Sequence, residues 1–168
     1  IRELAVRILG RDCRENGQVE YTRPEAKQPP AALANLDALL PMADDPDAGV
    51  RRELILALRD LPTERVGPAL RKLAASWDGQ DRWYLEALGI GANGQWDRFF
   101  PAWLARVGKG WDTLAGHDIV WRARGVQVPV YLVEILKQKG ASYEDSARFL
   151  RALQFQPEKE RNEALVAL

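Results

Sequence analysis

Between Asp45 and Gly91 the chain alternates helix, short turn, helix, short turn, helix, and nothing else constrains its fold as strongly. Val50, Leu54, Ala57, Leu58 and Leu61 fall on one stripe of a helix expected over Pro46 to Leu61. Val66, Leu70, Leu73 and Trp77 do the same for a second helix, Glu64 to Ser76. A third, Gln80 to Ile90, repeats the Ala57-Leu58 pair as Ala87-Leu88. Leu58, Leu88, Trp121 and Leu153 then recur at intervals of roughly 30 residues. One helix pair cannot bury its own apolar stripe, so pairs recurring at such a period stack into an α-solenoid. The expected fold is therefore all-α, with about five helical hairpins.

Composition narrows the class further. The length, 168 residues, suits one domain that buries a real core. Hydrophobic residues make up 46% and charged residues 29%, which excludes an intrinsically disordered chain. Lys+Arg and Asp+Glu both number 24, so the basic excess of a dedicated nucleic-acid or membrane-surface binder is missing. Cys13 is the single cysteine, which excludes an internal disulfide and a cysteine-built metal site. No apolar run approaches the roughly 18 residues of a membrane span.

The remaining segments extend the pattern. Ile1 to Gly10 reads as a short helix with Leu4 and Ile8 on an apolar line and Gly10 as its stop. Arg11 to Pro30 reads as an inserted loop outside regular structure, because Asn16-Gly17 signals a turn and Pro24, Pro29 and Pro30 oppose helix. Ala31 to Asp44 is helix interrupted near Pro41, and Asp44-Asp45-Pro46 starts the next helix. Thr63 is the expected cap of the helix that follows. Later helices are expected over Gln95 to Val107, His117 to Arg124, Val126 to Lys139 and Glu158 to Leu168. Another, Tyr143 to Gln154, is capped by Ser142 and turns Ala147, Leu150 and Leu153 inward. The first helix lacks a preceding partner, and the last presents Leu165 and Leu168 with nothing after it. Both ends of the solenoid are therefore expected to be open, as in a piece of a longer chain.

Ile1-Arg2-x-x-Ala5-x-x-Ile8-Leu9-Gly10 and Asp47-x-x-Val50-Arg51-x-x-Leu54-x-x-Ala57-Leu58 resemble the second helix of HEAT repeats. The Val-Arg step is absent at Gln80-Asp81 and around Trp121. This resemblance implies a right-handed α-α superhelix. Asp81-Arg82-Trp83-Tyr84-Leu85-Glu86-Ala87-Leu88-Gly89-Ile90-Gly91, Phe99-Phe100-Pro101-Ala102-Trp103-Leu104 and Asp118-Ile119-Val120-Trp121-Arg122 look like the HEAT region of large bacterial multidomain proteins described as membrane-bound dehydrogenases. Those proteins join a β-propeller, a HEAT region and a c-type cytochrome module with a Cys-x-x-Cys-His haem site. The resemblance implies an exported, periplasmic or extracellular parent of redox type. For this domain it implies no cofactor and a non-catalytic scaffold or spacer duty toward proteins or flanking domains.

The candidate partner surface is the polar side of the second helices, where Arg52, Arg59, Arg82, Arg122, Arg124, Arg148 and Arg151 form an expected ridge beside Glu53, Glu86 and Glu144. The competing enzymatic reading is a HEAT-like DNA glycosylase acting on alkylated bases. It rests on the spacing Trp77-x-x-x-Asp81, with Trp121-Arg122 adding to a pocket, and it lacks the net positive charge that holds phosphate. His117, the only histidine, has no serine or cysteine beside it, so neither a catalytic nor a metal role is assigned to it. Most of the six tryptophans are assigned to the core.

Overall fold

The computed structural model describes the backbone of residues 1–21, 30–61, 63–138 and 142–168, and the side chains of 1–13, 35–61, 64–138 and 142–168. Every regular element among them is helical: α1 (Arg2–Tyr21), α2 (Pro30–Leu39), α3 (Ala48–Leu58), α4 (Thr63–Ala75), α5 (Arg82–Gly91), α6 (Trp96–Val107), α7 (Leu114–Arg122), α8 (Val128–Leu136), α9 (Tyr143–Leu153) and α10 (Glu158–Ala167). Two 3-10 segments, Leu40–Asp44 and Gly108–Asp112, precede α3 and α7. None of the described helices is long and apolar enough to cross a membrane.

The structure divides into two compact units, residues 1–76 with 81–93, and residues 77–80 with 94–168. In the first, α3 lies between α1 and α5, while α2, the Leu40–Asp44 segment and α4 pack behind them. In the second, α7 packs on α9 and α8 packs on α10, with α8 also touching α7 and α9. Alternate helices are thus neighbours at α1, α3 and α5 in the first unit and at α7 with α9 and α8 with α10 in the second.

Stripe spacing explains why α3 occupies the centre of the first unit. Val50, Leu54, Ile55 and Leu58 are all but completely buried, and Leu61 follows them. Asp47 caps the helix, its side chain accepting a hydrogen bond from the Gly49 amide at 2.8 Å. The start therefore lies later than Asp44-Asp45-Pro46, because Asp45 is occupied in accepting from the Asp47 amide and from Arg2. Gly91 sets how closely α5 approaches α3. A methyl group there would lie 2.7 Å from Ile55 Cγ2 and 3.0 Å from the Ile55 carbonyl oxygen.

Several expectations need correction. Gly10 does not end the first helix, and Arg11 to Tyr21 is helix and not loop. A helical glycine costs only about 1 kcal/mol relative to alanine, and the buried Gly10 and Cys13 anchor the continuation. Residues 22–29 of the expected loop lie outside the described residues. Pro30 opens α2, where its missing amide is harmless. The backbone of α4 begins at Thr63, one residue before the expected start, and the side chain of Thr63 lies outside the described ones. Leu150 is 44% exposed and Val130 59%, whereas Phe149 and Leu132 are buried. The inward face of α9 is thus rotated from the expected one, with Leu153 buried as expected and Phe149 taking the place of Leu150 in the core. Glu53 is also not a solvated surface group. It is 7% exposed and receives both Arg7 Nε and Nη2, at 3.0 and 2.7 Å.

The close approach at Gly91 gives a stability test. Gly91→Ala should destabilise the protein by about 1–3 kcal/mol, the usual cost of overpacking a filled site. Urea unfolding should show a lower midpoint with an unchanged slope. A neutral or stabilising effect would mean that α5 can move away from Ile55.

Candidate functional site

The second unit contains a cleft of about 590 Å³, bordered by residues 78–80, α7, the end of α8 and α9. Its floor is apolar, from Ala115, Ile135 and Phe149, and its walls carry Asp78, Gln80, His117, Asp118, Gln138, Asp145 and Arg148. The helix starts that frame it are built by their caps. Thr113 Oγ1 accepts from the Gly116 amide at 3.1 Å and donates to the Gly110 carbonyl at 2.8 Å. Ser142 Oγ accepts from the Asp145 amide at 3.0 Å. Gly116 is obligatory at its position, since a Cβ would lie 2.2 Å from the Trp111 carbonyl oxygen. That contact sets the Gly108–Asp112 segment directly against the first turn of α7.

The consequence is a polar network beside the cleft. His117 Nε2 meets Asp112 Oδ1 at 2.9 Å, and Gln138 Nε2 donates to the same oxygen at 2.6 Å. These two bonds hold the Asp112 carboxyl below the usual carboxylate range, the histidine contact contributing most. Arg148 Nη2 donates to Asp118 Oδ1 at 2.6 Å while its guanidinium lies 4.3 Å from the centre of the Trp121 ring. Aromatic packing continues from there. Phe149 is edge-on to His117, His117 adjoins Trp111, and Trp111 meets Tyr131 edge-on at 4.8 Å. Phe100 then links Tyr131 to Trp103. The arrangement fixes side chains in place. Among the described residues that line the cleft, none carries a hydroxyl or thiol for His117 to activate, while Asp78, Asp118 and Asp145 offer acceptors and Gln80, Gln138 and Arg148 offer donors.

The expected arginine ridge is placed in two parts. In the first unit, Arg52 is half-buried and pairs with Asp81 at 3.2 Å. Arg59 ends α3 beside Asp60 and shares a hollow of about 200 Å³ with Arg7 and Glu53. Arg82 is exposed at the start of α5. In the second unit, Arg124 folds back onto the carbonyls of Trp121 and Ala123 and lies over Phe155. Arg122 is half-buried, Arg151 is exposed, and Arg148 is held by Asp118. Arg124 and Arg148 therefore converge on Trp121, whereas Arg82 and Arg151 face solvent.

The residues of the glycosylase reading are placed as follows. Trp77 is 9% exposed. Asp81 caps α5, its Oδ1 accepting from the Trp83 amide and its Oδ2 from Arg52. Both oxygens are thus engaged in local structure.

Sequence reasoning missed Asp78, Gln138 and Asp145 as cleft residues, and it missed the exposed apolar groups Trp83, Leu114 and Tyr143. One signal could have found the last three. Each stands within two residues of a helix cap, in Asp81-Arg82-Trp83, Thr113-Leu114 and Ser142-Tyr143, at a position off the buried stripe.

The Asp112 network has a definite acid signature. A carboxylate with a lowered folded-state pKa contributes stability that is full above its unfolded value and is lost as pH falls through the folded one. The melting-temperature difference between the native protein and Asp112→Asn should therefore be full at about pH 5 and shrink below about pH 4. Circular dichroism melts across that range measure it, and a difference that persists unchanged in acid would rule the network out as its source.

Compared with known proteins, the chain matches no family model, no curated protein and no solved structure.

Proposed function

We propose that the chain is a non-catalytic interaction or spacer module built from HEAT-type repeats of the right-handed α-α class, serving a larger exported protein of redox type. One observation carries the repeat reading. Polar side chains repeatedly bond to a partner one hairpin away along the chain. Arg65 reaches Asp37 and Lys72 reaches Asp44 across 28 residues, and Arg52 reaches Asp81 across 29. In the second unit the Val126 amide reaches Asp97 across 29, Arg148 reaches Asp118 across 30, and the Gly125 amide reaches Gln156 across 31. Arg2 with Asp45 and Arg7 with Glu53 span 43 and 46 residues, the longer interval where α1 and α2 are joined by added sequence.

Bonds at one recurring separation are what stacked equivalent units produce, because each repeat touches chiefly its neighbours. A structure of this kind offers extended surface instead of a single reaction centre. The engagement of Asp81 by a helix cap and an arginine supports the scaffold over base excision. Each unit offers an exposed arginine to an acidic surface on a flanking domain, Arg82 in the first and Arg151 in the second.

The experiment compares Arg82→Glu and Arg151→Glu with the native chain for binding to the flanking domains of its parent. At least roughly tenfold weaker binding is expected, concentrated in the association rate and sensitive to salt. Far-UV circular dichroism should be unchanged. Equal binding by both variants would remove the ridge as the docking face.

A further inference from the structure

We propose that the cleft of the second unit is a docking site for a basic peptide. A Lys or Arg side chain of the partner enters between α7 and α9, and the apolar residues flanking it rest on Leu114 and Tyr143. The inference rests on the interaction reading above, but it concerns a different surface and gives the partner's chemistry.

Charge complementarity selects a cation. Among the charged side chains of the cleft, Arg148 is matched to Asp118, and His117 is bonded to Asp112 outside the lining. Asp78 and Asp145 remain. Asp78 uses Oδ1 to accept the Gln80 amide, and Asp145 uses Oδ2 to accept the Ser142 hydroxyl. Among the described residues, neither has a cationic side chain as partner. Among the described residues, two carboxylates thus stand without a cationic partner beside an apolar floor of Ala115, Ile135 and Phe149. An aliphatic stem ending in a positive charge satisfies both surfaces. An anionic ligand would add a like charge and meet a guanidinium already held by Asp118 and Trp121.

Exposed apolar groups beside the cleft select a peptide over a small free amine. Leu114, which lines the mouth, is 87% exposed, and Tyr143, on the turn that also carries Asp145, is 88% exposed. A ligand confined to the cleft would leave Tyr143 uncovered. A chain that continues past its cationic residue reaches it and buries an aromatic ring and a leucine, the kind of contact that supplies binding energy. The cleft volume lies within the range of ligand-binding clefts, with room for more than one side chain of a peptide.

The test uses the full chain and two fluorescein-labelled peptides of about five residues, alternating Leu with Lys or Leu with Glu. Fluorescence anisotropy should show saturable binding of the lysine peptide and none of the glutamate peptide. Asp78→Asn with Asp145→Asn should weaken it at least roughly tenfold, and so should about 0.5 M salt. Leu114→Ser with Tyr143→Ser, both exposed and so harmless to folding, should weaken it severalfold. No binding, equal binding of the two peptides, or indifference to the paired aspartate substitutions would overturn the proposal. Competition by spermidine as effective as that of the lysine peptide would overturn the peptide as occupant. The arginine-ridge variants should bind the lysine peptide normally, so failure here and failure of the flanking-domain test remain distinguishable.

Discussion

The burial of one stripe on α3 supports the first unit more than any other interaction. Val50, Leu54, Ile55 and Leu58 lose nearly all contact with water because α1 and α5 cover the same helix from either side. Each such side chain contributes about 1.5–3 kcal/mol of transfer free energy. Ordering each backbone residue costs about 1–2 kcal/mol, so a single hairpin with one covered face cannot sustain itself. The contact at Gly91 is part of this economy of space. It lets α5 approach until Ile55 and Leu70 fill what would otherwise be a gap between helices.

Apolar burial does not by itself fix the register of neighbouring hairpins, since a stripe of leucines tolerates sliding. The polar bonds between hairpins supply that information. Exposed ion pairs such as Arg65 with Asp37 add little stability. Their common separation of 28 to 30 residues nevertheless marks one pairing of hairpins over its alternatives. The bidentate Arg7–Glu53 contact acts more strongly, because Glu53 is buried and a slipped α1 would leave its carboxylate unpaired.

How much was legible in the sequence follows from these two kinds of contact. The α3 and α4 stripes were legible because helical spacing alone determines a buried face, and Val50, Leu54, Ala57, Leu58, Leu61, Val66, Leu70, Leu73 and Trp77 are buried as expected. The Ser142 cap was legible because its hydroxyl acts on its own helix. The length of α1 was not, because tertiary anchoring of Gly10 and Cys13 overrides a local stop signal. The cleft was not legible either. It depends on the Gly116 close approach, which brings Asp112, His117 and Gln138 together from three elements. The sequence separation of Gln138 from Asp112, 26 residues, carries no motif that announces their contact.

Layering also explains why negative charge gathers where it does. Capping and the helix dipole favour acidic side chains at helix starts. Neighbouring helices of one layer bring those starts onto a common edge, so carboxylates accumulate along it. The first unit compensates part of this edge with arginines, while Asp47 at the start of α3 has no cationic side chain as partner among the described residues. Arg2 takes Asp45, and Arg52 takes the capping Asp81. In the second unit the compensation is partial. Arg148 takes Asp118, deeper along α7, while Asp145 stays at the start of α9 and Asp78 in its turn. The same edge is where large apolar residues next to the caps fall off the buried stripe, leaving Leu114 and Tyr143 in solvent. Among the described residues of the second unit, Asp78 and Asp145 have no cationic side chain as partner, and that is the charge the proposed basic peptide would bring.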